Sequence, residues 1–268
     1  MSGSEHLSAL ETAELLEELT ASNARFAQIA RTLQRSLLPP VLPTPEGLDL
    51  CGVFHPSREG QDVSGDFYDV FGVGRGDDLV LALGDVCGKG AEAAAITSIA
   101  RHTIRAVAPD LRSPVQILRR LNDTMLGHDI DERFCTVVVA RVTRIVDGVR
   151  LTVCTAGHLQ PFVVRADGTI ERVGLPGSLL GLFADIRLLE ETVQLRRGDM
   201  IVAFTDGVTE ARDGDEQFGE RRTEEILAAS AGLSATETAG ILLDEVLRFA
   251  GTSARDDIAI LALRVPPS

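Results

Sequence analysis

The feature that most constrains this chain is a succession of short apolar or alternating runs, at 48–54, 66–73, 78–84, 134–143, 149–155, 160–166, 191–195, 199–205 and 257–265. Each is strand-sized. Links such as "GRGDD", "VDG" and "ADGT" are too short to carry a crossover helix, so they favour antiparallel hairpins over parallel βαβ units. Two helical blocks interrupt the runs, 90–128 and 219–250, and each reads as a helix pair. Strands in bulk with helices in separate pairs predict an α+β layered fold, two packed sheets with helices outside.

The chain has 268 residues, 44% hydrophobic and 25% charged, enough to bury the core of one large domain with an appendage. No apolar run approaches the roughly 18 residues of a membrane helix. The acidic start, "MSGSEHLSALETAELLEEL", has no basic region ahead of an apolar block, so neither signal peptide nor membrane association is expected. Cys51, Cys87, Cys135 and Cys154 lack any CxxC spacing and read as free thiols in a reducing, cytoplasmic setting. A net charge of −14 argues against nucleic acid, whose phosphates demand clustered Lys and Arg. With no Trp and one Tyr, a base-stacking platform is also excluded.

Residues 5 to 38 lack Gly and Pro after the first few positions' small residues give way to Glu, Leu, Ala and Arg, and predict one long helix. Leu16, Leu19, Asn23, Phe26, Ala30, Leu33 and Leu37 alternate spacings of three and four, a heptad seam with Asn23 where a buried Asn sets register. A parallel homodimer through this helix is the expectation, with an amphipathic helix lying on its own domain as the alternative. Pro39 and Pro40 end the helix. The expected organisation is an N-terminal helix at 1–38, a Pro-rich linker at 39–46 and a strand-rich domain at 47–268.

The carboxylates carry the chemistry. Asp66 opens one run, and the next ends at Asp85 in "LALGDVCGKG". If the two strands pair antiparallel, both acids stand at one sheet edge. The C-terminal third repeats the arrangement: "MIVAFTDG" ends at Asp206, and "ARDDIAILAL" begins at Asp256 and Asp257. Asp at a strand end is often only a turn residue, and Asp77-Asp78 and Asp213-Gly214-Asp215 are read that way. Four at matching termini predict a crowded rim, where carboxylates cannot all stay ionised without cations. An all-oxygen set suits Mg²⁺ or Mn²⁺.

Other motifs fall away. "GDVCGKG" lacks the spacing of a phosphate-binding P-loop. His158 in "AGH" has no adjacent nucleophile and is read as structural. Lys89 is either a solvated turn residue or a contact for a substrate phosphate.

In order, "LQRSLLPP", "SGDFYDVF", "GDVCGKGAEAA", "AGH", "GD" ahead of "FTDGVTEARD", "FG" and "ARDDIAIL" resemble the PP2C-like (PPM) phosphatases of the bacterial SpoIIE/RsbU type, over about residues 33 to 265. The resemblance implies a four-layer αββα sandwich of two mainly antiparallel sheets flanked by helix pairs. It implies two Mn²⁺ or Mg²⁺ ions and hydrolysis of phosphoserine or phosphothreonine, commonly on a STAS-domain anti-anti-sigma factor. It places Asp66 and Asp85 on the ion pair, the Val86 carbonyl beside them, and Asp206 with Asp256 or Asp257 completing the set, the first of the two aligning with the family's ligand. Asp66, Asp85 and Asp206 would then be catalytic through a metal-activated water.

The chain departs from its relatives at a few positions. Ser64 stands in the usual "GGD", Cys87 stands where animal relatives carry a histidine often assigned as general acid, and "DDIA" replaces the commoner "DDIT". No expected ligand is lost. The rival reading is a non-catalytic phosphoprotein-binding regulator.

Overall fold

The computed structural model describes residues 32–34, 36–57, 63–74, 78–128, 133–251 and 256–267. The expected heptad seam from Leu16 to Ala30, Asn23 included, lies outside the described residues, as does Asp77. Among the described residues, no helix is long and apolar enough to cross a membrane.

Two five-stranded antiparallel sheets face each other. The first runs in the order β2-β3-β4-β5-β8: β2 Phe67–Gly72, β3 Leu79–Val86, β4 Cys135–Ile145, β5 Gly148–Ala156 and β8 Glu190–Leu195. The second is β1-β12-β9-β6-β7: β1 Asp49–His55, β12 Ile258–Arg264, β9 Met200–Phe204, β6 Phe162–Val164 and β7 Ile170–Arg172. A small hairpin, β10 Arg212–Asp213 with β11 Glu216–Gln217, stands apart. The turn reading of Asp213-Gly214-Asp215 matches it. β7, β10 and β11 are two or three residues long, too short to leave a periodic signal.

Helices α1 Ala91–Val107 and α2 Pro114–Leu126 cover the first sheet, and α4 Gly219–Ala229 with α5 Ala235–Ala250 cover the second. Their starts are written locally. Ser113 caps α2, accepting from the Gln116 N–H, with Pro114 at the first helical position. Ser234 and Glu237 form a reciprocal capping box on α5. The result is the αββα sandwich the resemblance implied.

Burial on both faces explains why the central strands read as continuous apolar runs. In β3, Leu79, Leu81 and Leu83 point into the layer between the sheets, whereas Val80, Ala82 and Val86 point toward α1 and α2. A third apolar layer joins β6, β9 and β12 to α4 and α5.

One buried charge breaks the pattern. Asp69, in the middle of β2, is 1% exposed and accepts from Arg101 Nε at 2.9 Å and from Arg105 Nε and Nη2 at 2.7 and 2.9 Å. Arg105 also lies 4.7 Å over the Phe71 ring. These bonds fix the rotation of α1 against β2. The described end of the N-terminal helix meets the same region: Arg101 donates to the Ser36 carbonyl, Gln34 Oε1 accepts from the Ser64 N–H at 2.7 Å, and Leu37 packs with Val63 and Ala94.

Removing Asp69 would leave Arg101 buried without its counter-charge. Asp69→Ala should therefore lower the free energy of unfolding by about 3–5 kcal/mol, read as a drop in the urea midpoint. An unchanged midpoint would mean that water screens this pair despite its burial.

Candidate metal centre

Antiparallel pairing decides where the acids go. Phe67 of β2 faces Gly84 of β3, so Asp66 and Asp85 stand side by side at one end of the first sheet. Phe204 of β9 faces Ile260 of β12, which brings Asp206 beside Asp256 and Asp257 at the matching end of the second. Asp206 begins a single helical turn, α3 Asp206–Thr209. All five carboxylates line one cleft of about 530 Å³, together with Val86, Lys89, Glu210, His158 and Thr136.

Two glycines let the strand ends approach. A Cβ on Gly65 would sit 2.1 Å from the Val86 carbonyl oxygen and 2.9 Å from an Asp85 oxygen. One on Gly207 would sit 2.0 Å from the Asp257 carbonyl oxygen. Neither position can carry a side chain without moving a backbone that holds an acid. At Ser64 the departure from "GGD" has a use: its Oγ accepts from the Asp66 N–H at 2.9 Å.

Three of the acids have partners that orient them. Asp66, 5% exposed, accepts from Thr205 Oγ1 at 2.7 Å. Asp257 accepts from the Ser57 N–H at 2.7 Å. Asp256 is half exposed and lies 3.2 Å from Lys89 Nζ. Thr205 and Glu210 were not anticipated from the sequence, and Ser64 was noted only as a departure from "GGD"; for Thr205 a hydroxyl beside an expected ligand in "FTDG" was the one available signal.

The electrostatics follow from burial and crowding. Burial raises the Asp66 carboxyl well above its ordinary value, and Asp85 adds to the shift. Burial likewise raises Asp85, with Asp256 and Asp257 contributing. Asp206 rises to about 6 through burial, then Asp85, Asp256 and Glu210. This rim is short of positive charge.

His158 is partly buried, and the desolvation of its ring lowers it to about 4, so it is neutral near pH 7. Its Nδ1 is 2.9 Å from Thr136 Oγ1, and its Nε2 is 3.2 Å from the Phe204 carbonyl oxygen. A carbonyl can only accept, so Nε2 carries the proton and Nδ1 accepts from the threonine. The imidazole thus ties β4 of one sheet to β9 of the other, in keeping with the structural reading.

The donor set fits hard divalent cations: carboxylates from four strand ends and a backbone carbonyl, with His158 engaged through both nitrogens. Among the described residues no group of three or more His, Cys, Asp or Glu side chains stands ready-made to hold an ion. The acids instead turn to their own partners, Thr205, Ser57 and Lys89.

The sequence model of "Stage II sporulation protein E (SpoIIE)" matches residues 75–266, more than half of the chain. The chain belongs to the SpoIIE family. Protein IcfG of Synechocystis sp. is 27% identical over 87% of this chain and 40% of its own length. Phosphoserine phosphatase RsbU of Bacillus subtilis is 28% identical over 88% of this chain and 69% of its own. The chain therefore spans well under half of one of these relatives and about two thirds of the other. The SiaA-PP2C domain of Pseudomonas aeruginosa superposes with a TM-score of 0.76, at 22% identity, over 94% of this chain and 99% of that one. RsbX, solved in complex with magnesium, superposes with a TM-score of 0.61, at 15% identity, over 84% and 98%. The fold is that of the SiaA-PP2C domain and RsbX.

The raised acids set a pH signature for this SpoIIE-family chain. In the folded protein Asp206 holds its proton up to about pH 6, against an ordinary 3.8. Between those values the folded state binds more protons than the unfolded one, so stability falls as pH rises through the window and the penalty is complete above it. Without added metal, the melting temperature of the wild-type chain should fall more steeply from about pH 4 to about pH 6 than that of Asp206→Asn. Parallel profiles without metal would contradict the shift.

Proposed function

We propose that this chain is a divalent-metal-dependent phosphatase that hydrolyses phosphoserine or phosphothreonine on a STAS-domain anti-anti-sigma factor in a partner-switching pathway. The observation that carries the reading is the convergence of Asp66, Asp85, Asp206, Asp256 and Asp257 on one cleft of a SpoIIE-family fold. The similarity to a phosphoserine phosphatase, RsbU, supports the reaction class.

In this reading Asp66, Asp85 and the Val86 carbonyl hold a pair of Mn²⁺ or Mg²⁺ ions, with Asp206 and one or both of Asp256 and Asp257 completing the set. Such ions, when bound, lower the pKa of water and neutralise phosphoryl oxygens. The chain's own residues do the rest. Carboxylates fixed by Thr205, Ser64 and Ser57 hold their geometry without reorganising during the reaction, which is where preorganised sites gain rate. His158 has both nitrogens engaged and is neutral, so it does not serve as the proton donor for the leaving oxygen. Lys89, 3.2 Å from Asp256 on the cleft wall, is placed to meet a substrate phosphate. Residues 1–38 are proposed as the dimerising and regulatory segment, 39–46 as its linker, and the remainder as the catalytic domain.

Asp85→Asn and Asp206→Asn should each abolish Mn²⁺-dependent turnover of para-nitrophenyl phosphate and of a phosphorylated STAS protein, while circular dichroism stays unchanged. Near-normal rates in either variant would overturn the ligand assignment. Binding of the phosphoprotein by the wild-type chain without turnover would instead support a non-catalytic regulator.

A further inference from the structure

Thr205 is fully buried and makes three hydrogen bonds that meet at the metal rim. Its hydroxyl donates to Asp66 Oδ2 at 2.7 Å and accepts from the Ala259 N–H at 2.9 Å. Its own N–H donates to the Ala259 carbonyl at 3.0 Å. One residue therefore touches three of the four chain segments that bring carboxylates to the cleft, the Asp85 strand end being the fourth. Asp66 precedes β2, Asp206 directly follows Thr205, and Ala259 lies two residues beyond Asp257 in β12.

The direction of these bonds matters as much as their number. A hydroxyl has one proton. The Ala259 N–H is a donor and occupies a lone pair, so the threonine proton is left for Asp66. Asp66 Oδ2 is thereby held as an acceptor, and the carboxylate cannot rotate without breaking that bond. Oδ1 is left as the oxygen that can face the cleft. The Ser64 hydroxyl secures the same residue from the other side by accepting its N–H.

We propose that Thr205 is a positioning residue for Asp66: its hydroxyl selects which carboxylate oxygen faces the cations and ties the two sheets at the spacing the carboxylate set requires. This rests on the metal-site reading given above. Groups that orient a ligand from behind change metal affinity by about 10- to 100-fold when removed, and a hydroxyl bonded to a ligand across two sheets belongs with them.

The test compares Thr205→Val, which keeps the shape and loses the hydroxyl, with Thr205→Ser, which keeps the hydroxyl and loses a methyl group. Mn²⁺ binding is read by titration calorimetry and folding by the melting temperature in EDTA. Thr205→Val should weaken Mn²⁺ binding about 10- to 100-fold, and Thr205→Ser should bind within a few-fold of wild type even where its melting temperature falls. A merely structural role predicts the reverse split, both variants losing stability in EDTA with Mn²⁺ affinity intact, and that result overturns the proposal. If Thr205→Val does not fold, Thr205→Ser still decides: a tenfold loss of affinity with the hydroxyl present overturns it. A wild-type chain that takes up no Mn²⁺ overturns the metal reading itself, and this assignment with it.

Discussion

Repulsion among carboxylates is the interaction on which the rest of this structure depends. Five aspartates share one cleft, and three of them titrate above their ordinary range because they are buried and face one another. Left to themselves such groups would drive the strand ends apart. The fold resists by placing them at the termini of strands whose other residues lie in three apolar layers. Hydrophobic burial along the strands outweighs a local penalty at their tips. The penalty is what makes the rim receptive to cations, since any ion that binds only the folded state stabilises it by mass action.

Holding the tips in place takes short-range devices. Gly65 and Gly207 remove the Cβ atoms that would meet neighbouring carbonyl oxygens. His158 and Thr205 bridge from one sheet to the other on either side of the acids. None of these groups needs to change protonation near neutral pH to do so. The site is thus fixed by neutral hydrogen bonds around a charged centre, an arrangement that keeps the acids oriented whether or not their charge is compensated.

Much of this was legible in the sequence, for identifiable reasons. The strand runs and the two helix pairs follow from hydrophobic periodicity, and antiparallel pairing follows from links too short for a crossover. Once pairing is antiparallel, an Asp at the start of one strand and the end of the next must share an edge, so Asp66 with Asp85 and Asp206 with Asp256 and Asp257 could be brought together before any coordinates. The short strands β7, β10 and β11 escaped because two or three residues have no period. The buried Asp69 escaped because nothing local marks its partners, Arg101 and Arg105, which arrive from a helix more than thirty residues away. Thr205 and Ser64 escaped because a hydroxyl's role depends on who faces it, which is a property of the packing.

The junction with the N-terminal helix shows how small energies set what can move. Between residues 32 and 37 the contacts include Gln34 with the Ser64 N–H, Ser36 with Arg101, and Leu37 with Val63 and Ala94. Two hydrogen bonds of about 0.5–1.5 kcal/mol each and one leucine worth about 1.5–3 kcal/mol hold this segment down. The sum, before the entropy of ordering the segment is subtracted, is small beside the burial that holds the sheets together. It lies in the range that a partner's differential affinity can outweigh. Yet Gln34 grips the peptide of Ser64, whose hydroxyl orients Asp66, and Arg101 grips Asp69 in the strand that follows. This segment is therefore in contact with the residue that orients one of the cleft carboxylates. Two hydrogen bonds and the apolar contact of Leu37 with Val63 and Ala94 connect that segment to the strand ends beside the site.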